Sequence, residues 1–274
     1  MNLFLRVVGK RDDGYHLLDT VMLPISLYDE IEIKRSKGKG VSNGLRVTCD
    51  HPLVPSGNKN LVYRAAKLLL EKKRVRDRVE IEIRKKIPVG AGLGGGSSDA
   101  AAALRGLDRL FRLGLKRREM LRLAASLGAD IPFFVYGRPA RVRGAGERVS
   151  PLAAFPRLWM VVLHPGFGVS TRWVYRNLRL TKVIENTTVI FSVRDIESLT
   201  RLLVNDLEGV TMRRFPELAL LKGRLRAEGA VEALMSGSGA SVFGIFRSAQ
   251  KAKRAFLRLH KEKGVQAYLV HSLS

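Results

Sequence analysis

The chain has one cysteine, Cys49, among its 274 residues. A single thiol cannot build a disulfide framework or a cysteine-rich metal site, and it suits a reducing compartment. Long apolar stretches are missing as well. No run of about 18 uncharged apolar residues occurs, so no membrane span is expected. Met1-Asn-Leu-Phe-Leu-Arg is too short and too soon charged for a secretion signal. Internal repeats and low-complexity tracts are absent. A cytoplasmic chain of one large or two modest domains is expected, and a hydrophobic content of 46% is enough for a packed core.

Acidic residues are scarce: 25 Asp and Glu stand against 49 Lys and Arg, a net charge of +24. That balance invites a nucleic-acid reading. The positive residues cluster at Lys34-Arg35-x-Lys37-x-Lys39, Lys72-Lys73-Arg74 and Lys116-Arg117-Arg118. No stacking aromatics are interleaved with them, and no nucleic-acid-binding module is recognisable. The plainer reading is basic residues spread over solvated faces and helped by anionic substrates.

What the sequence has in plenty is glycine in one place. Pro88-Val-Gly-Ala-Gly-Leu-Gly-Gly-Gly-Ser-Ser-Asp-Ala-Ala places five glycines between Gly90 and Gly96. A strand-like segment, Val79 to Arg84, precedes it, and an alanine-rich helical run follows. Strand, glycine loop and helix start together make an anion site, because free N–H groups and the helix dipole converge there. Ser97, Ser98 and Asp99 all have the chemistry of an N-cap. No Gly-Lys-Ser/Thr closes the loop, which excludes a Walker A motif. Gly90-x-Gly92-x-x-Gly95 fits the dinucleotide fingerprint only formally, since no parallel βαβ unit follows.

Strands are expected at Asn2 to Val8, Tyr15 to Ser26, Glu30 to Lys34 and Leu45 to Cys49, with a hairpin turn at Gly9 to Gly14. Helices are expected at Asn60 to Lys72, with Asn58 or Asn60 as its cap, and after the glycine loop, with Ala101, Leu104, Leu107 and Leu110 on one face. A further helix, Arg118 to Leu127, ends at Gly128 as a C′ residue. Ala129 to Phe134 reads as a buried turn with one carboxylate, Asp130. Arg141 to Glu147 reads as turn-rich, and Pro151 to Pro156 as a linker. The second half alternates strands (Leu158 to Leu163, Val231 to Met235, Ser241 to Phe246, Val265 to Val270) with helices. Those helices start near Ser170 or Thr171 and at Ile196, Phe215 and Ser248. Ser236-Gly237-Ser238-Gly239-Ala240 is a second small-residue loop. The pattern predicts an α+β fold, with domains at 1–152 and 153–274.

Three stretches carry a resemblance: the glycine loop, Gly128-Ala-Asp-Ile-Pro, and Met235-Ser-Gly-Ser-Gly-Ala. Their spacing is similar to the three motifs of the GHMP kinases. Asn2-Leu-Phe-Leu, Asp13-Gly-Tyr-His and Gly92-Leu-Gly-Gly-Gly-Ser-Ser-Asp-Ala-Ala resemble the branch acting on a cytidine diphosphate sugar-alcohol in non-mevalonate isoprenoid synthesis. The likeness runs over essentially the whole chain and is thinnest from Ile184 to Arg214. It implies a two-domain fold, the first part like ribosomal protein S5 domain 2 and the second ferredoxin-like.

The resemblance further implies ATP-dependent phosphorylation of the C2 hydroxyl of cytidine diphosphate methylerythritol, with Mg²⁺ neutralising the triphosphate. It makes Asp130 the base. The nucleotide would meet Pro88, Gly90, Ala91, Gly92, Leu93, Gly94, Gly95, Gly96, Ser97 and Ser98, and more loosely Asn60, Leu61 and Lys85 at the adenine. Ser97 and Ser98 would serve phosphate or Mg²⁺, and no residue is assigned to the metal alone. Asp99 is read as a cap rather than a metal ligand. Asn2, Tyr15 and His16 would meet the substrate, Tyr175 would stack on its cytosine, and Ser236, Gly237 and Gly239 would close over it. Read alone, Asp130 is a turn aspartate, Lys85 an exposed strand residue, and the Ser236 loop a plain β-turn. The family carries a lysine two residues before the asparagine that Asn2 matches. Only Met1 precedes Asn2, so the natural chain is expected to start further upstream. Another alcohol kinase of the same superfamily, or an RNA-binding protein on an S5-like domain, is the alternative. A small-molecule partner and a monomer or homodimer are expected; a membrane or nucleic-acid partner is not.

Overall fold

The computed structural model describes residues 1–36, 44–152, 155–179 and 196–273. Lys37 and Lys39, part of the expected linker, and part of the 184–214 stretch lie outside them.

In chain order the first half holds β1 (Asn2–Lys10), β2 (His16–Met22), β3 (Glu30–Ser36), β4 (Leu45–Cys49) and α1 (Leu61–Lys72). It continues with β5 (Arg78–Arg84), α2 (Gly95–Phe111), α3 (Arg117–Leu127), α4 (Ile131–Tyr136), β6 (Ala140–Gly144) and β7 (Arg148–Pro151). The second half holds β8 (Trp159–His164), α5 (Thr171–Asn177), α6 (Ile196–Thr200), β9 (Val204–Asn205), α7 (Glu208–Arg214) and α8 (Glu217–Ala227). It ends with β10 (Glu232–Met235), β11 (Val242–Phe246), α9 (Ala249–Leu259) and β12 (Gln266–His271). This is an α+β chain.

Two compact units share it. One takes Met1–Leu27, Gly90–Leu93 and Arg138–Ser274; the other takes Tyr28–Val89 and Gly94–Gly137. Both are discontinuous, unlike the sequential division expected at residue 152.

The smaller unit is a three-stranded sheet, β3-β5-β4, under helices. Its central strand shows why. In β5 the sequence alternates charge and aliphatic, so Val79, Ile81 and Ile83 are buried while Glu80 and Glu82 face solvent. The buried face meets Val62, Ala65, Leu69 of α1 and Ala100, Ala103, Leu104, Leu107 of α2. Alanine at the contact lets helix and sheet approach closely. Asn60 caps α1: its Oδ1 accepts from Val62 N at 2.8 Å and its Nδ2 donates to Pro55 O at 2.9 Å.

The larger unit has two sheets. One runs β7-β6-β2-β1-β9 and the other β10-β11-β8-β12. In the first, β1 is antiparallel to β2 and parallel to β9. Helices α8 and α9 bury Leu218, Leu221, Leu225 and Ala252, Ala255, Leu259 in a core that also takes Val161, Val242 and Phe246. Ser248 caps α9, accepting from Lys251 N.

Several local expectations need correction. Leu110 is exposed near the end of α2, although Leu107 before it is fully buried. Gly128 ends α3 in extended backbone, φ 173°, so no left-handed C′ residue is needed there. Ala129 to Phe134 is mostly the helix α4, which Pro132 starts well because its fixed φ suits a first turn. Arg141 to Glu147 divides in two: Arg141 to Gly144 belongs to β6, and 145–147 form the turn of its hairpin with β7. Helix α7 and strand β9 were not foreseen.

Leu104 has no exposed surface and sits mid-core in α2. Leu104→Ala is expected to cost about 2–5 kcal/mol, through lost transfer energy and a residual cavity. Urea unfolding with equal slopes for both proteins checks it.

Candidate active site

Residues 90–94 need backbone that only glycine adopts freely: Gly90, Gly92 and Gly94 have φ of 71°, 72° and 73°. The loop divides between the units after Leu93.

In the larger unit the loop's carbonyls are held. Val169 N donates to Gly90 O at 3.2 Å, Ser241 N to Ala91 O at 3.0 Å, and Ser236 Oγ to Gly92 O at 2.9 Å. A Cβ at Gly92 would stand 2.2 Å from Ser236 O and 2.8 Å from Gly239 O. The two small-residue loops therefore touch backbone to backbone, which rules out a plain isolated β-turn for the second. That second loop is fixed in turn by Asn205, whose Nδ2 donates to Met235 O and Gly237 O at 2.8 and 2.7 Å. Thr211 Oγ1 donates to Ser238 O, and Thr171 and Ser238 share a hydroxyl contact at 2.8 Å.

Ser236 has no exposed surface, and its hydroxyl is spent on the glycine loop. This corrects its expected place against substrate: it holds the loop. Gly239 is also buried, and Gly237 is half-buried.

Asn2 donates from Nδ2 to Thr20 Oγ1 at 2.9 Å, and the Thr20 hydroxyl donates to Phe4 O at 2.6 Å. His16 and Tyr175 lie ring to ring, centroids 4.9 Å apart and tilted by 30°. Burial, then Lys10, lowers the pKa of His16, so the imidazole is neutral at pH 7 with one donor and one acceptor. Tyr15 is 64% exposed and open to a ligand's flat face.

In the smaller unit the loop becomes a helix start. Gly94 is the N-cap of α2 and has no side chain to cap with. Among the described residues, the N–H groups of Gly95, Gly96 and Ser97 have no protein partner, and neither do the hydroxyls of Ser97 and Ser98. Ser97 and Ser98 are therefore not N-caps; the helix begins before them. Nor is Asp99 a cap. It lies one turn into α2, buried, and pairs with Lys85 Nζ at 2.9 Å.

Lys85 is no exposed strand residue either: its side chain is 5% exposed, between Asp29 and Asp99. Its ammonium and the Asn60 amide are both spent on protein partners, so neither is offered to an adenine. Burial raises Asp99 to about 7 against the pull of Lys85, with Asp29 adding to the rise. Burial also opposes the charge on Lys85, yet Asp99 and Asp29 raise its pKa overall. The ammonium stays charged between the two carboxylates.

Asp130 precedes α4 at the N-cap position, but its carboxylate makes no cap bond. It has no hydrogen-bond partner among the described residues, and the residue is exposed. Surrounding protein still desolvates the carboxylate enough to raise its pKa above the ordinary range. Helix α4 is seated against the loop: a Cβ at Gly94 would fall 2.7 Å from the ring of Phe134.

Three of the basic residues have acidic partners. Lys34 pairs with Glu32, Arg35 with Asp77, and Lys73 with Glu119, at 2.9, 2.7 and 2.9 Å. Among the described residues no group of three or more His, Cys, Asp or Glu is placed to hold a metal. No described helix is long and apolar enough to cross a membrane.

Gly92→Ala and Gly96→Ala should part company. The first combines a left-handed φ with a 2.2 Å clash and is expected to lower the melting temperature sharply. Gly96 has open space, so alanine there should leave the fold unharmed or gain up to about 1 kcal/mol of helix propensity. Thermal melts of both variants check this.

Comparison with known proteins bears on the whole chain. The GHMP kinases N terminal domain matches residues 60–138, and the GHMP kinases C terminal domain matches 186–266. A 4-diphosphocytidyl-2-C-methyl-D-erythritol kinase of Citrifermentans bemidjiense is 46% identical, across 100% of this chain and 96% of that one. One of Syntrophotalea carbinolica is 42% identical over the same shares. A crystal structure of 4-(cytidine 5'-diphospho)-2C-methyl-D-erythritol kinase superposes with a TM-score of 0.83 at 40% identity, covering 100% of this chain and 96% of that one. L. major mevalonate kinase shares the fold, with a TM-score of 0.70 at 20% identity, over 93% and 89% of the two chains. With full-length identity far above what a shared fold alone requires, the chain belongs to the 4-diphosphocytidyl-2-C-methyl-D-erythritol kinase family of the GHMP kinases.

Proposed function

We infer that the chain transfers the γ-phosphoryl group of ATP to the C2 hydroxyl of 4-diphosphocytidyl-2-C-methyl-D-erythritol, in isoprenoid precursor synthesis. One observation carries the mechanism. Helix α2 begins with free N–H groups and no side-chain cap, and α4, which carries Asp130, is seated on that same start. An anion-binding helix end and an unengaged carboxylate thus belong to one rigid arrangement in the smaller unit.

Phosphoryl transfer asks mainly for positioning and charge stabilisation. The N–H groups of Gly95, Gly96 and Ser97 bind phosphate oxygens along the helix dipole. Asp130 takes the proton from the attacking hydroxyl as the new P–O bond forms and the bond from the γ-phosphorus to the bridging oxygen breaks, releasing ADP. Its raised pKa keeps it a better proton acceptor than an ordinary surface carboxylate. Asn2, Tyr15, His16 and Tyr175 take the cytidine end. A neutral imidazole can match one donor and one acceptor on a cytosine edge, while Tyr175 offers a flat face.

Mg²⁺ fits this donor set. Asp99 is closed off by Lys85, but the Ser97 and Ser98 hydroxyls are unengaged oxygen ligands of the kind Mg²⁺ takes beside phosphate and water. When bound, the ion neutralises charge on the triphosphate. We read the chain as cytoplasmic and as a monomer or homodimer. A cytidine-bearing acceptor is favoured over the simpler alcohols of other GHMP kinases by the His16–Tyr175 ring pair.

Asp130→Asn is expected to abolish turnover while ATP still binds. In the parent enzyme, activity requires the ionised carboxylate, so kcat/KM should fall as pH drops. Because the pKa is raised, that acid limb should lie above the usual Asp value of about 3.9. Full activity in the variant, or a limb at or below that value, would sink the assignment. The same variant should melt higher than the parent at pH 8 and no higher at pH 3. An acid with a raised folded pKa costs stability only where the unfolded chain would be ionised.

A further inference from the structure

The Asp29–Lys85–Asp99 cluster is used by no step above, yet it lies at the base of the glycine loop. Asp29 stands just before β3, with its side chain 1% exposed. Its Oδ1 accepts from Lys86 N at 2.5 Å and Ile87 N at 2.8 Å. Its Oδ2 accepts from Lys85 Nζ, which also donates to Asp99 Oδ2 on α2. The chain going into the loop and the helix coming out of it are therefore tied to one carboxylate. The tie is close to the helix start: a Cβ at Gly95 would stand 3.0 Å from Ile87 Cγ2 and 3.2 Å from Lys85 Nζ.

Packing alone does not call for such a cluster. Apolar residues of the same volume often serve stability as well as a buried ion pair does. What apolar contacts lack is direction. Two main-chain N–H bonds and a shared ammonium fix both the height and the angle at which the two ends meet. The open N–H groups of α2 begin at Gly95, directly over this tie.

We propose that Asp29 is a positioning residue for phosphoryl transfer. Acting through Lys86, Ile87 and the Lys85–Asp99 pair, it sets where the N-terminus of α2 stands, and so where the nucleotide's phosphates are held. This rests on the kinase reading above. Asp29 touches no reacting atom. Its loss should be felt at the nucleotide and not at the acceptor, since misplacing a binding group by about 1 Å can cost as much as about a hundred-fold.

The test uses the full chain and the variants Asp29→Asn, Asp99→Asn and the double variant, at a temperature where circular dichroism shows each folded. Steady-state constants for ATP and acceptor are measured with calorimetric binding of the non-hydrolysable analogue AMP-PNP. Asp29→Asn is expected to weaken AMP-PNP binding and raise KM for ATP by about ten-fold or more, with KM for the acceptor changed less than about two-fold. Asp99→Asn should shift the same constants in the same direction. The double variant should fall short of the product, because both act through Lys85. A lowered melting temperature with unchanged nucleotide constants would overturn the proposal, as would equal losses for ATP and acceptor. If Asp29→Asn does not fold, Asp99→Asn, which leaves the Lys86 and Ile87 bonds in place, decides by the same readings. A parent protein that binds AMP-PNP yet fails to phosphorylate the acceptor would refute the kinase reading instead, and the binding ratio would still judge Asp29.

Discussion

Everything at this site depends on backbone polar groups that are satisfied on one side of the glycine loop and left open on the other. The carbonyls of Gly90, Ala91 and Gly92 are claimed by Val169, Ser241 and Ser236. The N–H groups a few residues later, at the start of α2, are claimed by nothing among the described residues. A loop with all its groups paired would bind no anion. One with none paired would have no fixed shape. Glycine makes the combination possible, because the left-handed turns at 90, 92 and 94 bring carbonyls toward one wall while the N–H groups go forward. At Gly92 the neighbouring carbonyl of Ser236 also leaves no room for a side chain.

Charge follows the same economy of placement. The excess of 24 positive charges suggests an electrostatic surface, but three side chains from the basic clusters show local pairing. Lys34, Arg35 and Lys73, each taken from a basic cluster, have acidic partners. The sheet face that carries Glu32, Glu82 and Arg84 mixes signs along β3 and β5. Mixed, exposed pairs of this kind contribute little to stability and make a poor track for a phosphate backbone. One cluster of charge in the interior near the loop is different: a single ammonium, Lys85, lies between two carboxylates, and losing it would leave both of them without their cation.

Local signals made much of this legible before any coordinates. The alternation in Arg78–Arg84 identifies a half-buried strand, and the spacing Leu61, Ala65, Leu68, Leu69 identifies α1 with Asn60 as its cap. By composition alone the glycine loop points to an anion-binding helix start, the reading that the proposed function uses. What could not be read is what depends on distant partners. Asp29 meets Ile87 across 58 positions, and Asn205 meets Met235 across 30, with no periodicity or motif to link them. Lys85 looks like the outward end of a charged strand, and only the packing of α2 turns it inward. Helix α7 was missed because Glu-Gly-Val-Thr-Met contains glycine and two β-branched residues, poor helix formers that tertiary contact overrides.

The helix starts are capped in different ways. Asn60, Ser170 and Ser248 cap α1, α5 and α9 with side-chain oxygens, as good N-cap residues should. Helices α3, α7 and α8 lack such caps too, so a missing cap is not in itself a mark of function. The case of α2 and α4 is different. Ahead of α2 stands a left-handed glycine, which keeps the helix end free of any competing oxygen. Ahead of α4 stands Asp130, a residue with the right chemistry to cap, whose carboxylate makes no cap bond and carries a raised pKa. Both ends forgo stabilisation of about 1 kcal/mol that a cap could supply. On the proposed mechanism, a phosphate would satisfy the first end and a proton would be taken up at the second.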